Sequence, residues 1–307
     1  MKKSPLNKTI DTEISEGREY LNRCLRPENI QADKTDLKDS IICADMFDVC
    51  PLIPAGTADL MILDPPYNLT KDYNGESFLK KKPQEYEEYA RQWLDATKHV
   101  LRDGGTVYVC CDWESSLIIG KVLSEYYTVR NRITWQREKG RGARSNWKNS
   151  MEDIWFATNG DGYTFNIDDV KMRRRVIAPY REEGAPKDWM ETEQGRFRDT
   201  HPSNFWDDIT VPFWSMAENT AHPAQKPEKL IAKLILASSD AGDVVFDPFA
   251  GSGTTCVTAR KLDRRFIGIE KDERYCIWAQ QRLEMAGADS TIQGYKDGVF
   301  RERNSGR

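Results

Sequence analysis

Ala58-Asp59-Leu60-Met61-Ile62-Leu63-Asp64-Pro65-Pro66-Tyr67-Asn68 is the stretch on which the reading of the fold turns. Its first part is an apolar run bounded by turn residues and short enough for a buried strand. Two prolines then stop the strand and remove two backbone donors. What remains at the strand's carboxyl end is a carboxylate, a stiff stretch with free carbonyls, and an aromatic face. That set suits a planar amino group. Asp64 and the carbonyl of Pro65 can accept its N–H hydrogens, Pro66 stiffens the turn, and Tyr67 can stack on the ring that carries the amine. A nucleobase held this way must first leave its duplex. Taken alone, the same residues also describe a strand that ends in a Pro-Pro turn with a capping Asp.

Outward from this stretch the chain alternates strands and helices. Residues 40–45 read as a strand and turn, 46–52 as a small helix or turn, and 67–83 as a long polar loop. Loops of that length often close over a substrate, and disorder is the alternative. Residues 85–101 have helical periodicity, ended by Asp103-Gly104-Gly105. A buried strand at 106–111 and a helix at 115–126 follow. Residues 129–136 and 152–158 read as a hairpin. After a polar, Trp-rich interval, a helix at 226–239 with Pro227 in its first turn leads to a strand at 244–247. A helix (255–262), a strand (265–270) and a last helix (272–285) follow. This order predicts an α/β fold with a largely parallel sheet. The first 38 residues read as an arm with one helix near 14–25. Residues beyond 287 read as a loose tail.

The 307 residues suffice for one large domain with an insertion. Charged residues make up 31% and mean hydropathy is −0.70, so no membrane span is expected. The amino terminus lacks the apolar core of a secretory signal, and a cytoplasmic protein is expected. Three histidines make a His-based metal site improbable, and no metal is expected. The seven cysteines form no Cys-x-x-Cys pair and read as reduced and packed. With a net charge of −4, a polyanion has to bind a local basic face.

A second motif lies far downstream: Phe246-Asp247-Pro248-Phe249-Ala250-Gly251-Ser252-Gly253-Thr254-Thr255. It has the form of a strand, a glycine-rich bend and a helix start, where backbone can approach a ligand closely. Glu270 ends the next strand and is placed to accept from ribose hydroxyls. The spacing is not that of the dinucleotide fingerprint, and the Lys of a phosphate-binding loop is missing. Those features point to a nucleoside-like ligand without a phosphate chain. A tight turn with no ligand is the plain alternative.

The two motifs together resemble the DNA amino-methyltransferases. Their order, catalytic motif upstream and cofactor motif downstream, resembles the beta class of restriction–modification systems, the group of the RsrI and MboII adenine methyltransferases. His222-Pro223-Ala224-Gln225-Lys226-Pro227 is similar to the family's His-Pro-Thr-Gln-Lys-Pro segment, with Ala224 in place of Thr. The resemblance spans roughly residues 40 to 285. It implies an open, mostly parallel twisted sheet with helices on both faces, a Rossmann-like methyltransferase fold in circularly permuted motif order. It divides the chain into an arm (1–39), a catalytic half (40–159), a target-recognition insertion (160–220), a cofactor-binding half (221–286) and a flexible tail (287–307).

The resemblance also implies S-adenosyl-L-methionine as cofactor. Ala44 and Asp45 would flank it. Phe249, Ala250, Gly251 and Ser252 would line its methionine and ribose side, followed by Gly253 and Thr254. Asp247 would lie beneath its amino group, Glu270 would hold its ribose, Lys226 would approach its carboxylate, and Asp64 would face its methyl. For Asp45 and Lys226, a turn cap and a helix-terminal charge are the competing roles. The implied reaction is methyl transfer to the exocyclic N6 amine of a flipped-out adenine. Asp at the motif's first position favours adenine, and the N4 amine of cytosine is the alternative. The reading from another class is a DNA-binding relative without catalysis.

Cations gather between Arg130 and Lys148 with Trp135 and Trp147 among them, and again at Lys171-Met172-Arg173-Arg174-Arg175. Of these, Arg137, Lys139, Arg141, Arg144, Lys148, Arg173 and Arg174 are the expected contacts to double-stranded DNA. A solvated surface is the bland alternative for each cluster. Arg181, Arg196, Arg198 and Asn204 are candidates for reading bases. Residues 201–206 resemble a segment that is structural around the family's pocket. A homodimer and a cognate restriction endonuclease are further partners that the resemblance implies.

Overall fold

Eight strands form the main sheet: β1 (Ser40–Cys43), β2 (Ala58–Leu63), β3 (Leu101–Cys111), β4 (Thr128–Gln136), β5 (Met151–Thr158), β6 (Phe205–Trp206), β7 (Val244–Asp247) and β8 (Arg265–Glu270). They lie in the order β1-β8-β7-β2-β3-β5-β4-β6. All neighbours are parallel except those of β5, which runs against both β3 and β4. The computed structural model describes residues 4–31, 34–73, 76–137, 145–177, 180–193 and 195–302, without the side chains of 71–73 and 76–77.

The central strands read as continuous apolar runs because both faces are covered. On β2, Met61 and Leu63 pack into the layer of α1 (Pro83–Thr97) and α2 (Trp113–Tyr126), beside Tyr86, Trp93, Val122 and Leu123. Leu60 and Ile62 face the opposite layer, where α3 (Glu228–Ser238), α4 (Thr254–Lys261) and α5 (Glu273–Ala288) supply Leu230, Leu234, Val257 and Leu283. Asp112 caps α2 by accepting from the Ser115 amide at 3.0 Å, and Asp272 caps α5 by accepting from the Arg274 amide at 2.8 Å.

Several segments depart from the sequence reading. The first helix ends at Thr97, and Asp103-Gly104-Gly105 lies within β3 rather than stopping a helix. Gly104 at φ +72° carries an irregularity there, where the β2–β3 register shifts between Ala58 and Leu60. Inside the long loop after Tyr67, Lys71–Tyr73 pairs with Glu76–Phe78. The helix of the arm is one turn, Arg18–Leu21. The arm lies along α5 and the segment before α3, with Ile10 bridged to Thr220 and the Trp278 indole donating to the Thr12 carbonyl at 3.0 Å.

The tail is not loose up to residue 302. Tyr295–Lys296 and Val299–Arg301 complete a second, five-stranded sheet whose other members are Met172–Arg175, Met190–Thr192 and Gly195–Thr200. The buried Phe300 and Met172 anchor it against α3. Lys233 of α3 donates to Asp208 at 2.7 Å between the Trp206 and Phe300 rings, and Lys229 donates to the Asp208 carbonyl at 2.8 Å. Burial pushes the Lys233 ammonium down to about 8.

Candidate active site

β7 and β2 are adjacent and parallel, pairing Val245 with Leu60 and Phe246 with Met61. Their carboxyl ends therefore open side by side, so the two distant motifs meet at one edge of the sheet. This edge is the switch point of an open α/β sheet, where ligands bind. A cavity of about 670 Å³ lies there. Its wall includes Asp64, Pro65, Pro66 and Tyr67 from β2's end, Ala44 and Asp45 from β1's end, Phe249 and Gly251 after β7, Glu270 from β8, and Lys226. Among the described residues no group of His, Cys, Asp and Glu has the arrangement of a metal site.

The Asp64 carboxylate is held by the Lys226 ammonium, which donates to its two oxygens at 2.8 and 2.7 Å. The same ammonium lies 3.5 Å from Glu152 and 5.1 Å from the centre of the Tyr67 ring. Burial works against the charge of Lys226, yet Asp64 and Glu152 hold its pKa above the ordinary lysine range. Tyr67 donates its hydroxyl to Glu152 at 3.1 Å. Burial, with the charges of Asp64 and Glu152, keeps the phenol well above its usual pKa, so it stays a donor. The Pro66 carbonyl is taken by the Tyr86 hydroxyl at 3.1 Å. Asn68 closes the loop that follows: its side chain donates to the Lys81 carbonyl at 3.0 Å and accepts from the Lys81 amide at 2.7 Å.

On the other side of the cavity, Glu270 accepts from the Gly251 amide at 2.8 Å and from the Asp272 amide at 2.8 Å. Burial pushes its carboxyl up to about 7, and does the same to Asp247. Gly251 has φ +52°, and a Cβ there would lie 3.2 Å from the His222 ring. Phe249 turns its ring edge-on to Trp93, 6.2 Å away. Asp45 caps the short helix Met46–Val49 through the Phe47 amide at 2.9 Å and also faces the cavity. Ile14 of the arm and Tyr275 of α5 complete the rim.

The remaining motif residues lie elsewhere. Asp247, Ala250, Ser252 and Thr254 line a pocket of about 30 Å³ behind the main cavity. Ser252 and Thr254 serve the buried Arg282, which donates to the Ser252 carbonyl at 2.8 Å and the Thr254 hydroxyl at 2.9 Å. A buried guanidinium needs such acceptors, and that need occupies two expected cofactor contacts. Gly253, at φ +76°, lets α4 start against α5; it lines neither space. Lys226, expected at a cofactor carboxylate, donates to Asp64.

The donor set fits a cationic nucleoside. Two carboxyls, the half-buried Glu270 and the buried Asp247, stand where further hydroxyl or amino donors could reach them. Phe249, Ile269 and Tyr275 add apolar and aromatic wall to the cavity. A family model described as DNA methylase, of the N6/N4 group, matches residues 58–281.

The chain belongs to the DNA methylase family.

Among known relatives, the type II methyltransferase M.HpaI of Haemophilus parainfluenzae is 32% identical over 261 residues, which is 83% of this chain and 78% of that protein. The DNA adenine methyltransferase YhdJ of Escherichia coli K12 is 32% identical over 256 residues, 80% of this chain and 83% of that protein. The solved M1.HpyAVI–SAM complex has TM-score 0.52 at 24% identity, covering 79% of this chain and 98% of that one. The PvuII DNA methyltransferase, cytosine-N4-specific, has TM-score 0.59 at 16% identity, covering 81% and 90%. These two likenesses establish the Rossmann-like fold of this DNA methylase.

The cations expected on DNA separate into groups. Arg137 turns inward, lines the cavity and pairs with Glu152. Lys139, Arg141 and Arg144 lie outside the described residues. Lys148 is exposed, next to a Trp147 that is 93% exposed. Arg173 is engaged by Asp199 at 2.8 and 2.7 Å, and Arg174 lies 3.9 Å from Asp207. Sequence reasoning passed over Glu152 altogether. Its signal was phase: on β5 it shares a face with the buried Ile154 and Phe156, where a carboxylate must find partners. No helix among the described residues is long and apolar enough to cross a membrane.

Proposed function

We propose that this DNA methyltransferase moves a methyl group from S-adenosyl-L-methionine to the N6 amine of an adenine flipped out of duplex DNA, as a beta-class enzyme of restriction–modification type. The observation that carries this reading is the shared cavity: Asp64-Pro65-Pro66-Tyr67 opens onto the same space as Gly251 and Glu270. The cofactor, when bound, supplies a methyl on a cationic sulfur. Glu270 would accept from its ribose, Phe249 and Gly251 would line its binding face, and the Asp247 carboxyl would lie behind. Asp64 and the Pro65 carbonyl accept the two amine hydrogens. Those bonds localise a lone pair that the ring otherwise draws in, and positioning supplies much of the rest. Tyr67 stacks on the base, its ring fixed through Glu152. The amine hydrogen lost on transfer leaves through the Asp64 contact.

Asp at the motif's head and the adenine specificity in YhdJ's name support adenine over cytosine. On this reading Lys148 and Arg174 contact phosphates, which set register rather than sequence. A second copy of the chain and a cognate endonuclease are the further partners the family resemblance suggests. Methylome sequencing of DNA from cells expressing the protein tests the proposal. N6-methyladenine in one sequence context is the expected result; N4-methylcytosine or unmodified DNA overturns it.

Cofactor binding should release protons. With Glu270 pushed up to about 7, roughly half of the free protein carries a proton there at neutral pH. Ribose hydroxyls donate to the charged form and favour it, so binding lowers this pKa and expels the proton. Titration calorimetry at pH 7 in buffers of different ionisation enthalpy should show net release of some tenths of a proton, roughly. Glu270→Gln should reduce that release and weaken binding; unchanged release in the variant contradicts the role.

A further inference from the structure

We infer that Lys226 and Glu152 are a positioning pair: Lys226 holds Asp64 as an aimed carboxylate and passes to Glu152 as the amine arrives. The inference rests on the reading of Asp64 as the amine's acceptor and adds two residues to it. An ammonium has three donors. Two of Lys226's point at the two Asp64 oxygens, the same atoms the amine needs. Its Nζ is already 3.5 Å from Glu152 Oε2, an alternative acceptor reached by a small rotation of the side chain. Glu152 is itself held still, by the Tyr67 hydroxyl at 3.1 Å on Oε2 and by Arg137 on Oε1. Burial disfavours its charge, and Lys226 and Arg137 outweigh that, keeping the carboxyl below its usual range as a standing anion. Because Tyr67 hangs from the same carboxylate, the stacking ring and the displaced ammonium are registered to one fixed point.

The surroundings show why a cation is needed. Asp64 is faced by Lys226 from the segment before α3, Glu152 from β5, Tyr67 from its own loop, Cys110 from β3 and Asp247 from β7. Apart from Lys226 these are acids or weak acids. Without Lys226 the Glu152 anion faces the Asp64 carboxylate with no cation between them, which opposes the two-acceptor form the amine needs. Without Glu152 that opposition weakens, but Lys226 has no second place to go.

The two roles shift the pH profile in opposite directions, which a purely structural part would not do. The experiment is single-turnover methyl transfer against pH on a duplex carrying the target site, with cofactor affinity measured separately by calorimetry. Lys226→Met should move the acidic limb of the rate profile upward by at least about one pH unit and lower the neutral rate about tenfold or more. Lys226→Arg should restore much of the limb's position. Glu152→Gln should lower the plateau rate while moving the limb downward. If the limb stays in place in Lys226→Met, or if its loss lies wholly in cofactor affinity, the ammonium serves the cofactor and the inference is overturned. If Glu152→Gln shifts the limb upward or leaves the rate unchanged, the pairing with Glu152 is overturned. An inactive Asp64→Asn beside an unmoved Lys226→Met limb removes this inference alone; a fully active Asp64→Asn removes the proposed function as well.

Discussion

Asp64→Asn is expected to lower the single-turnover methyl-transfer rate about 10²–10³-fold, the usual cost of one electrostatic partner in a reacting site. Cofactor affinity should change little on the proposed reading, in which Glu270 and Gly251 rather than Asp64 hold the ribose. Asn keeps the shape but turns one of two acceptors into a donor, which faces the amine's own donors and Lys226. Asn is a cleaner test than Ala. Removing the side chain leaves the nearly buried Lys226 with Glu152 alone, and breaking a buried ion pair costs about 3–5 kcal/mol when the partner charge is uncompensated. Tritium transfer to a target duplex measures the rate, and a melting scan separates chemistry from folding. A rate within about threefold of the parent would remove Asp64 from the reaction.

Gly253→Val should destabilise the protein by about 2–6 kcal/mol, combining left-handed backbone strain with overpacking. Gly253 sits at φ +76°, a region β-branched residues avoid, and an added Cβ would lie 2.6 Å from the Ala279 Cβ on α5. The clash is with a short side chain on a packed helix, so it has no easy exit. Moving α5 would also disturb Arg282, which joins the Ser252 carbonyl, Thr254 and Glu228. The turn that carries Gly251 is part of the same bend, so cofactor affinity should fall along with stability. Urea unfolding and calorimetric titration of the cofactor measure the two effects. A variant with parental midpoint and affinity would show that the α4–α5 junction is not constrained as described.

The central sheet was legible because strands covered on both faces must be apolar throughout, and β2, β7 and β8 have that composition. The site's two halves were legible for a related reason. Pro-Pro after Asp64 and the glycines after Asp247 are backbone requirements, and those show in any sequence. What escaped depends on tertiary pairing. Arg137 reads as a surface cation until β5 brings Glu152 beside it. Lys226 reads as a cofactor contact or a helix-terminal charge until the ends of β2 and the segment before α3 converge on Asp64. The second sheet is built from strands of two to six residues, too short for periodicity to register. Its closing strands come from the carboxyl-terminal stretch, whose polar composition hid the anchoring Phe300.

On the proposed reading, one cavity joins the cofactor's methyl end to the base's amine. The most direct measurement is a crystal structure of the protein with S-adenosylhomocysteine and a duplex containing the target site. The ribose should lie on Glu270, the cofactor's sulfur should point at Asp64, and an extrahelical adenine should sit between Asp64 and Tyr67. A cofactor bound away from Glu270, or a flipped base whose amine lies outside the reach of Asp64, would contradict this reading.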